Sequence, residues 1–151
     1  DHFLHVHQGS FNETLTIFDL LCCGKKEIVL AGTYARTNSL KGTIKGRTIA
    51  SGVHDSRAAR YDGHVEQLKK ACVSLSGKPY SPGDAAFVFH VFPFRPLVFQ
   101  FWESDEEFPP VLKFMWDENV LDYLRFETLY YVMGDFLDAL DQAFDACKTE
   151  A

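Results

Sequence analysis

Four carboxylates crowd into five positions of this chain: Glu103, Asp105, Glu106 and Glu107. Like charges this close raise one another's pKa unless a cation, a hydrogen-bond donor or water compensates them. Asp105, Glu106 and Glu107 carry the oxygen ligands that bind Mg²⁺ or Ca²⁺, and two such groups can work as an acid/base pair. The D-x-D-x-D-G spacing of a calcium loop is absent. The plainer reading is a hydrated hairpin whose carboxylates accept from turn N–H groups, with Phe108 and Pro109 anchoring it. A positive partner would come from the basic segment Arg36–Arg60, a divalent ion or a ligand.

Other chemistry-bearing residues are scattered. His90 sits in an apolar run and reads as a hydrogen-bonded core or interface histidine, or as a base or ligand beside Asp84, Glu103 or Glu127. His5 and His7 alternate on one strand face, where two metal ligands would stand, or two half-exposed histidines. Cys22, Cys23, Cys72 and Cys147 form no CxxC, so zinc is not expected and reduced thiols are. The run GTIKGRT, Gly42–Thr48, has the wrong glycine spacing and an Arg where a phosphate loop has Lys. No G-x-S-x-G supports a nucleophile triad.

The elements that would position these groups follow from periodicity. The acidic cluster lies inside Gly83–Trp116, which holds eight of the 14 Phe and both Trp. That stretch reads as strands Ala85–Phe92, Leu97–Glu103 and Val111–Trp116 in an antiparallel meander. Leu97, Phe99 and Phe101 alternate with Val98, Gln100 and Trp102, so the middle strand has two apolar faces and is expected to be central. A helix from Gly63 to Ser76, capped by Asp62, carries Val65, Leu68, Cys72 and Leu75 on one side. A long helix from Phe126 to Cys147 carries Leu129, Met133, Phe136, Leu137, Leu140 and Phe144. A shorter N-terminal helix ends near Cys23, with Leu15, Phe18, Leu21 and Cys22 as its apolar stripe, and Gly24 stops it. Phe3–His7, Glu27–Leu30 and Thr43–Thr48 read as short strands, the rest of 25–56 as loop. The fold class is therefore α+β: an antiparallel sheet of four to five strands packed by two main helices plus the N-terminal one.

Composition sets bounds. At 151 residues the chain reads as one domain over 1–151, and its start at Asp1 rather than Met points to upstream residues. Hydrophobic content of 46% excludes disorder. No apolar run reaches the roughly 20 residues of a membrane helix, and no secretion signal is visible. With reduced thiols, this points to a cytoplasmic protein. Net charge is −6 but uneven. Six Lys/Arg against one acid fall in Arg36–Arg60, and thirteen acids against three bases fall in Glu103–Ala151. The basic stretch reads as a solvated face attracted to the acidic helix, not as a nucleic-acid patch, since it lacks aromatic stacking partners beyond Tyr34 and Tyr61.

The phrase GDAAFVFHVFPFRPLVFQFWESDEEFPP, followed by MWDENVLDYLRFETLYYVMGDFL, resembles domain-of-unknown-function family 3786, found mostly in anaerobic bacteria and archaea. Gly83, Asp84, Pro93, Trp102, Glu103, Asp105, Glu106, Glu107, Phe108, Pro109, Asp117, Tyr123 and Glu127 carry the likeness, which runs from about Asp62 to Leu140. The resemblance implies an uncharacterised bacterial protein with no established activity, catalytic residue or cofactor. Some relatives are joined to cysteine-rich iron–sulfur domains, a segment with no counterpart here.

The reading that results is a non-enzymatic binding or accessory module that meets an unknown small molecule or protein through Trp102, Glu103, Asp105, Glu106 and Glu107, with His90 as a further candidate. One alternative is a small metal-dependent enzyme using those carboxylates with His90. Another is a structural homo-oligomeric domain. For the cysteines, free-thiol titration of the unfolded protein without reductant should recover all four. Stoichiometric zinc released on thiol alkylation would contradict this.

Overall fold

A computed structural model describes residues 11–149 apart from 23, 26, 28, 43–51, 93 and 94. The expected strands over Phe3–His7 and Thr43–Thr48 lie outside the described residues. The fold is α+β. Helices α1 (Phe11–Cys22), α2 (Gly52–Tyr61), α3 (Val65–Ser74) and α4 (Phe126–Thr149) accompany strands β1 (Tyr34–Arg36), β2 (Lys78–Pro79), β3 (Ala85–Phe92), β4 (Arg95–Trp102) and β5 (Val111–Asp117). The strands form one antiparallel sheet in the order β1-β5-β4-β3-β2. The meander is present, and β4 lies at its centre.

Strand alternation explains the layering. Phe87, Phe89, Leu97, Phe99, Phe101, Leu112, Phe114 and Trp116 are buried in one cluster with Leu129, Met133, Phe136, Leu137, Leu140 and Phe144 of α4. The helical spacing of that stripe is why α4 lies on the sheet. The second face of β4 is buried as well, at Val98 and Gln100. There the Gln100 amide donates to the Pro82 carbonyl (2.8 Å), and Tyr34 and Tyr80, from opposite sheet edges, meet edge to face at 5.8 Å.

Three expectations need correction. The described residues of Glu27–Leu30 are in no strand; the edge strand forms later, at Tyr34–Arg36. The 25–56 stretch also hides the start of α2, which its glycines and polar residues concealed. Tertiary pairing holds α2: Arg57 bonds Asp138 (2.6 Å) and Asp141, Arg60 bonds Asp145 (2.5 Å), and the Tyr61 hydroxyl donates to Asp141 (2.8 Å). Burial, and then the Asp141 contact, pushes the Tyr61 phenol well above its usual range. The attraction between the basic segment and the acidic helix is thus real, at these residues.

The third correction is α1, whose faces are reversed. Phe11, Phe18 and Leu21 are exposed while Thr16 and Asp19 are buried. The cause is polar. Asp19 accepts from the Thr128 hydroxyl and, at 3.4 Å, from the Arg125 amide at the start of α4, where unpaired N–H groups favour a carboxylate. No described helix is long and apolar enough to cross a membrane.

Phe101 is 0% exposed and packs against Tyr61 at 6.1 Å between ring centroids. Phe101→Ala should lower stability by about 3–5 kcal/mol in chemical denaturation. A loss below about 1 kcal/mol would show that the site collapses far more easily than a packed core.

Candidate functional site

The acidic loop is built by aspartates that accept from backbone. The Glu103 amide donates to Asp84 (2.8 Å). Ser104 donates to Asp62 twice, through its amide (2.9 Å) and its hydroxyl (2.7 Å). Asp105 Oδ1 accepts from the amides of Glu107 (2.8 Å) and Phe108 (2.7 Å). Hydrogen bonds to a carboxylate favour its charged form, and those from Ser104 hold the Asp62 carboxyl below its usual range. Asp62 therefore braces this loop, and α3 starts three residues later at Val65 with no side-chain cap.

Donors rather than a cation thus compensate part of the loop's charge. Arg57 and Arg60 go to α4. Among the described residues, no group of three His, Cys, Asp or Glu stands together as a metal site. Glu103, Glu106 and Glu107 are exposed, and Phe108, expected to anchor the loop, is 63% exposed. Trp102 is half-buried, with Lys113 Nζ 4.8 Å from its ring. A polar hollow of about 550 Å³ beside the start of α3 includes His64, Glu66, Lys69, Asp84 and Glu103.

His90 belongs elsewhere. Trp102 pairs with Val111 and Phe101 with Ala85 at one end of the β3–β4 hairpin, whereas His90 pairs with Pro96 at the other. Five strand steps separate Ala85 from His90, about 17 Å at 3.3 Å per residue. The structure does not bring His90 to the acidic loop.

The strand at His90, whose exposed side chain alternates away from Phe89, instead borders a cleft of about 920 Å³ between α1, α4 and the β2–β3 edge. Its apolar surface comes from Ile17, Leu75, Phe89, Val91, Val132 and Phe136. Phe89 and Phe136 meet edge to face at 4.6 Å. Gly77 lets the chain pass this close: a Cβ there would stand 2.7 Å from both the Phe89 ring and the Cys72 carbonyl. The α1 wall is fastened to α4 by the Asn12 amide, which donates to Asp135 (3.0 Å). Burial pushes the Cys72 thiol up to about 12, and it is held in the core.

Sequence reasoning missed this cleft apart from His90. Phe89 and Phe136 carry the signature of core residues, and Ile17, Leu75 and Lys78 have no shared motif. Only the contact between α1 and α4, between residues over a hundred positions apart, creates the space.

The family described as Domain of unknown function (DUF3786) matches residues 2–138, so the likeness starts far upstream of Asp62, where its motifs begin. No curated protein and no solved structure matches the chain.

The loop generates a pH prediction. Asp62 has a folded pKa below its ordinary value of about 3.9. Its stabilising contribution is therefore present above about pH 4 and is lost as pH falls through the lowered folded value. Thermal unfolding from pH 6 downward should show a shallower acid decline for Asp62→Asn than for the wild type. Superimposable profiles would mean that the Ser104 bonds contribute nothing.

Proposed function

The chain belongs to the family of unknown function DUF3786, and we propose that it is a non-enzymatic binding module that holds a small molecule in the cleft between α1, α4 and β3. One observation carries this reading. The cleft has the volume of a small-molecule site, a mainly apolar lining and a few polar groups, the general constitution of ligand pockets. The reading of a metal-dependent enzyme needs carboxylates beside His90, and the hairpin puts the loop carboxylates at its other end.

A second reading concerns the acidic loop as a docking surface for a basic protein partner. It is favoured by the exposed Phe108 beside exposed Glu106 and Glu107, on a backbone braced by Asp62, Asp84 and Asp105. A preorganised loop loses less entropy on binding than a slack one. Trp102 and Glu103 stand at its base.

The cleft reading is tested by filling it. Ala139 lines the cleft from an exposed position of α4. Ala139→Trp should leave the unfolding midpoint within a few degrees of wild type. It should weaken binding of the neutral fluorescent probe phenylnaphthylamine by at least about tenfold, roughly 1.4 kcal/mol. Undiminished probe binding in a folded Ala139→Trp protein would remove the cleft as the site.

A further inference from the structure

We infer that the ligand of this cleft is a small amphipathic amine, its apolar body lying over Phe89 and Phe136 and its ammonium head at Asp135; the inference rests on the cleft reading above. Val132, Asp135, Phe136 and Ala139 all line the cleft. Their spacing of three and four places them on one side of α4. Asp135 and Phe136 are consecutive, so a carboxylate stands directly beside the aromatic floor. On the facing wall, Glu13 and Ile17 repeat the arrangement at helical spacing on α1. Each helix thus brings one acid next to apolar side chains.

The sheet wall brings no opposing charge. The Phe89 ring meets Phe136 of α4, so alternation along β3 turns His90 to the other face. Lys78 pairs with Val88, whose side chain also alternates away from Phe89, and it shares that other face. Lys78 and His90 therefore border the cleft without directing a charge into it. Among the described residues, the charged side chains that the helices bring to the cleft, Glu13 and Asp135, are both carboxylates. Charge complementarity then selects a cation.

Asp135 has an acceptor to spare. Its Oδ1 accepts from the Asn12 amide (3.0 Å), and among the described residues its Oδ2 makes no hydrogen bond or ion pair. The Asn12 bond holds the half-buried carboxylate in place, so a ligand N–H meets an acceptor that is already positioned. Further along α4, by contrast, Asp138, Asp141 and Asp145 are taken up by Arg57 and Arg60. A primary ammonium is a donor without an acceptor, the complement of an ionised carboxylate. Its bond to that group is charge-assisted and strong.

Decylamine, decanol and decanoate share one chain and differ in the head. Each is titrated against phenylnaphthylamine bound to the full chain at pH 7, where an alkyl ammonium of the lysine kind is protonated. Decylamine should compete about tenfold more tightly than decanol, the ratio expected of one charge-assisted hydrogen bond. Decanoate should compete more weakly than decanol. The double variant Glu13→Gln/Asp135→Asn keeps a carbonyl that can accept from Asn12 and removes both charges. It should bring decylamine to the affinity of decanol and leave decanol and the probe unchanged. Equal affinity of decylamine and decanol for the wild type, decanoate binding tighter than decanol, or an amine preference that survives the double variant would overturn the ammonium head while leaving the cleft. The wild-type comparisons decide this without the variant if the variant does not fold. Failure of phenylnaphthylamine to bind would overturn the cleft reading and this inference with it.

Discussion

The ring of Phe136 stands 4.6 Å from Phe89 and 5.9 Å from both Phe99 and Phe114, centroid to centroid. One side chain of α4 thereby touches β3, β4 and β5 together. The contact sets where the long helix lies on the sheet, because moving it along the sheet would separate three aromatic pairs at once. It also sets the cleft. Phe136 and Phe89 belong to the buried cluster and line the cavity beside it, so the cleft's floor is the edge of the core. Close packing makes that floor rigid, and a rigid apolar surface is available to a ligand without rearrangement of the strands.

Aspartates do for the loops what phenylalanines do for the sheet. Asp62, Asp84 and Asp105 accept from the backbone around the acidic turn. Asp117, buried at the end of β5, accepts from the amides of Ala31, Gly32 and Asn119. Asp19 sits at the start of α4. A buried carboxylate is costly without donors, and main-chain N–H groups in a turn need acceptors. Each aspartate answers both needs at once. This explains how a chain of net charge −6 keeps such a cluster while Arg57 and Arg60 are committed to α4.

The sheet was legible because its signals are local. Alternation in Leu97–Trp102 marks two apolar faces, and both are buried in the central strand. The 3.6-residue spacing of Leu129, Met133, Phe136 and Leu140 likewise announced α4 and its inward face. The carboxylate cluster marked a loop correctly, but composition cannot say which acceptors already have donors; Asp62 and Asp84 reach the loop from 42 and 19 positions away. His90 could not be placed because strand order decides which end of a hairpin faces which helix. The cleft had no signature, being a gap between α1 and α4 rather than a run of residues.

Helix α1 shows why periodicity gives the existence of a face but not its direction. Phe11, Phe18 and Leu21 share one side, and hydrophobic burial alone would turn it inward. The residues that point inward are Asn12, Thr16 and Asp19, with Leu20 beside them against the core. They do so because the N-terminus of α4 and Asp135 offer partners that water would otherwise supply. A net hydrogen bond contributes only about 0.5–1.5 kcal/mol, whereas the floor opposite is held by full aromatic burial. The two walls of the cleft thus differ in kind. The sheet side is fixed by packing that a ligand cannot improve, and the α1 side is held by a few polar bonds beside Ile17, which remains 52% exposed at the mouth. Apolar ligand surface laid between them would remove Ile17 from water, so the free energy gained on binding would fall mainly on α1.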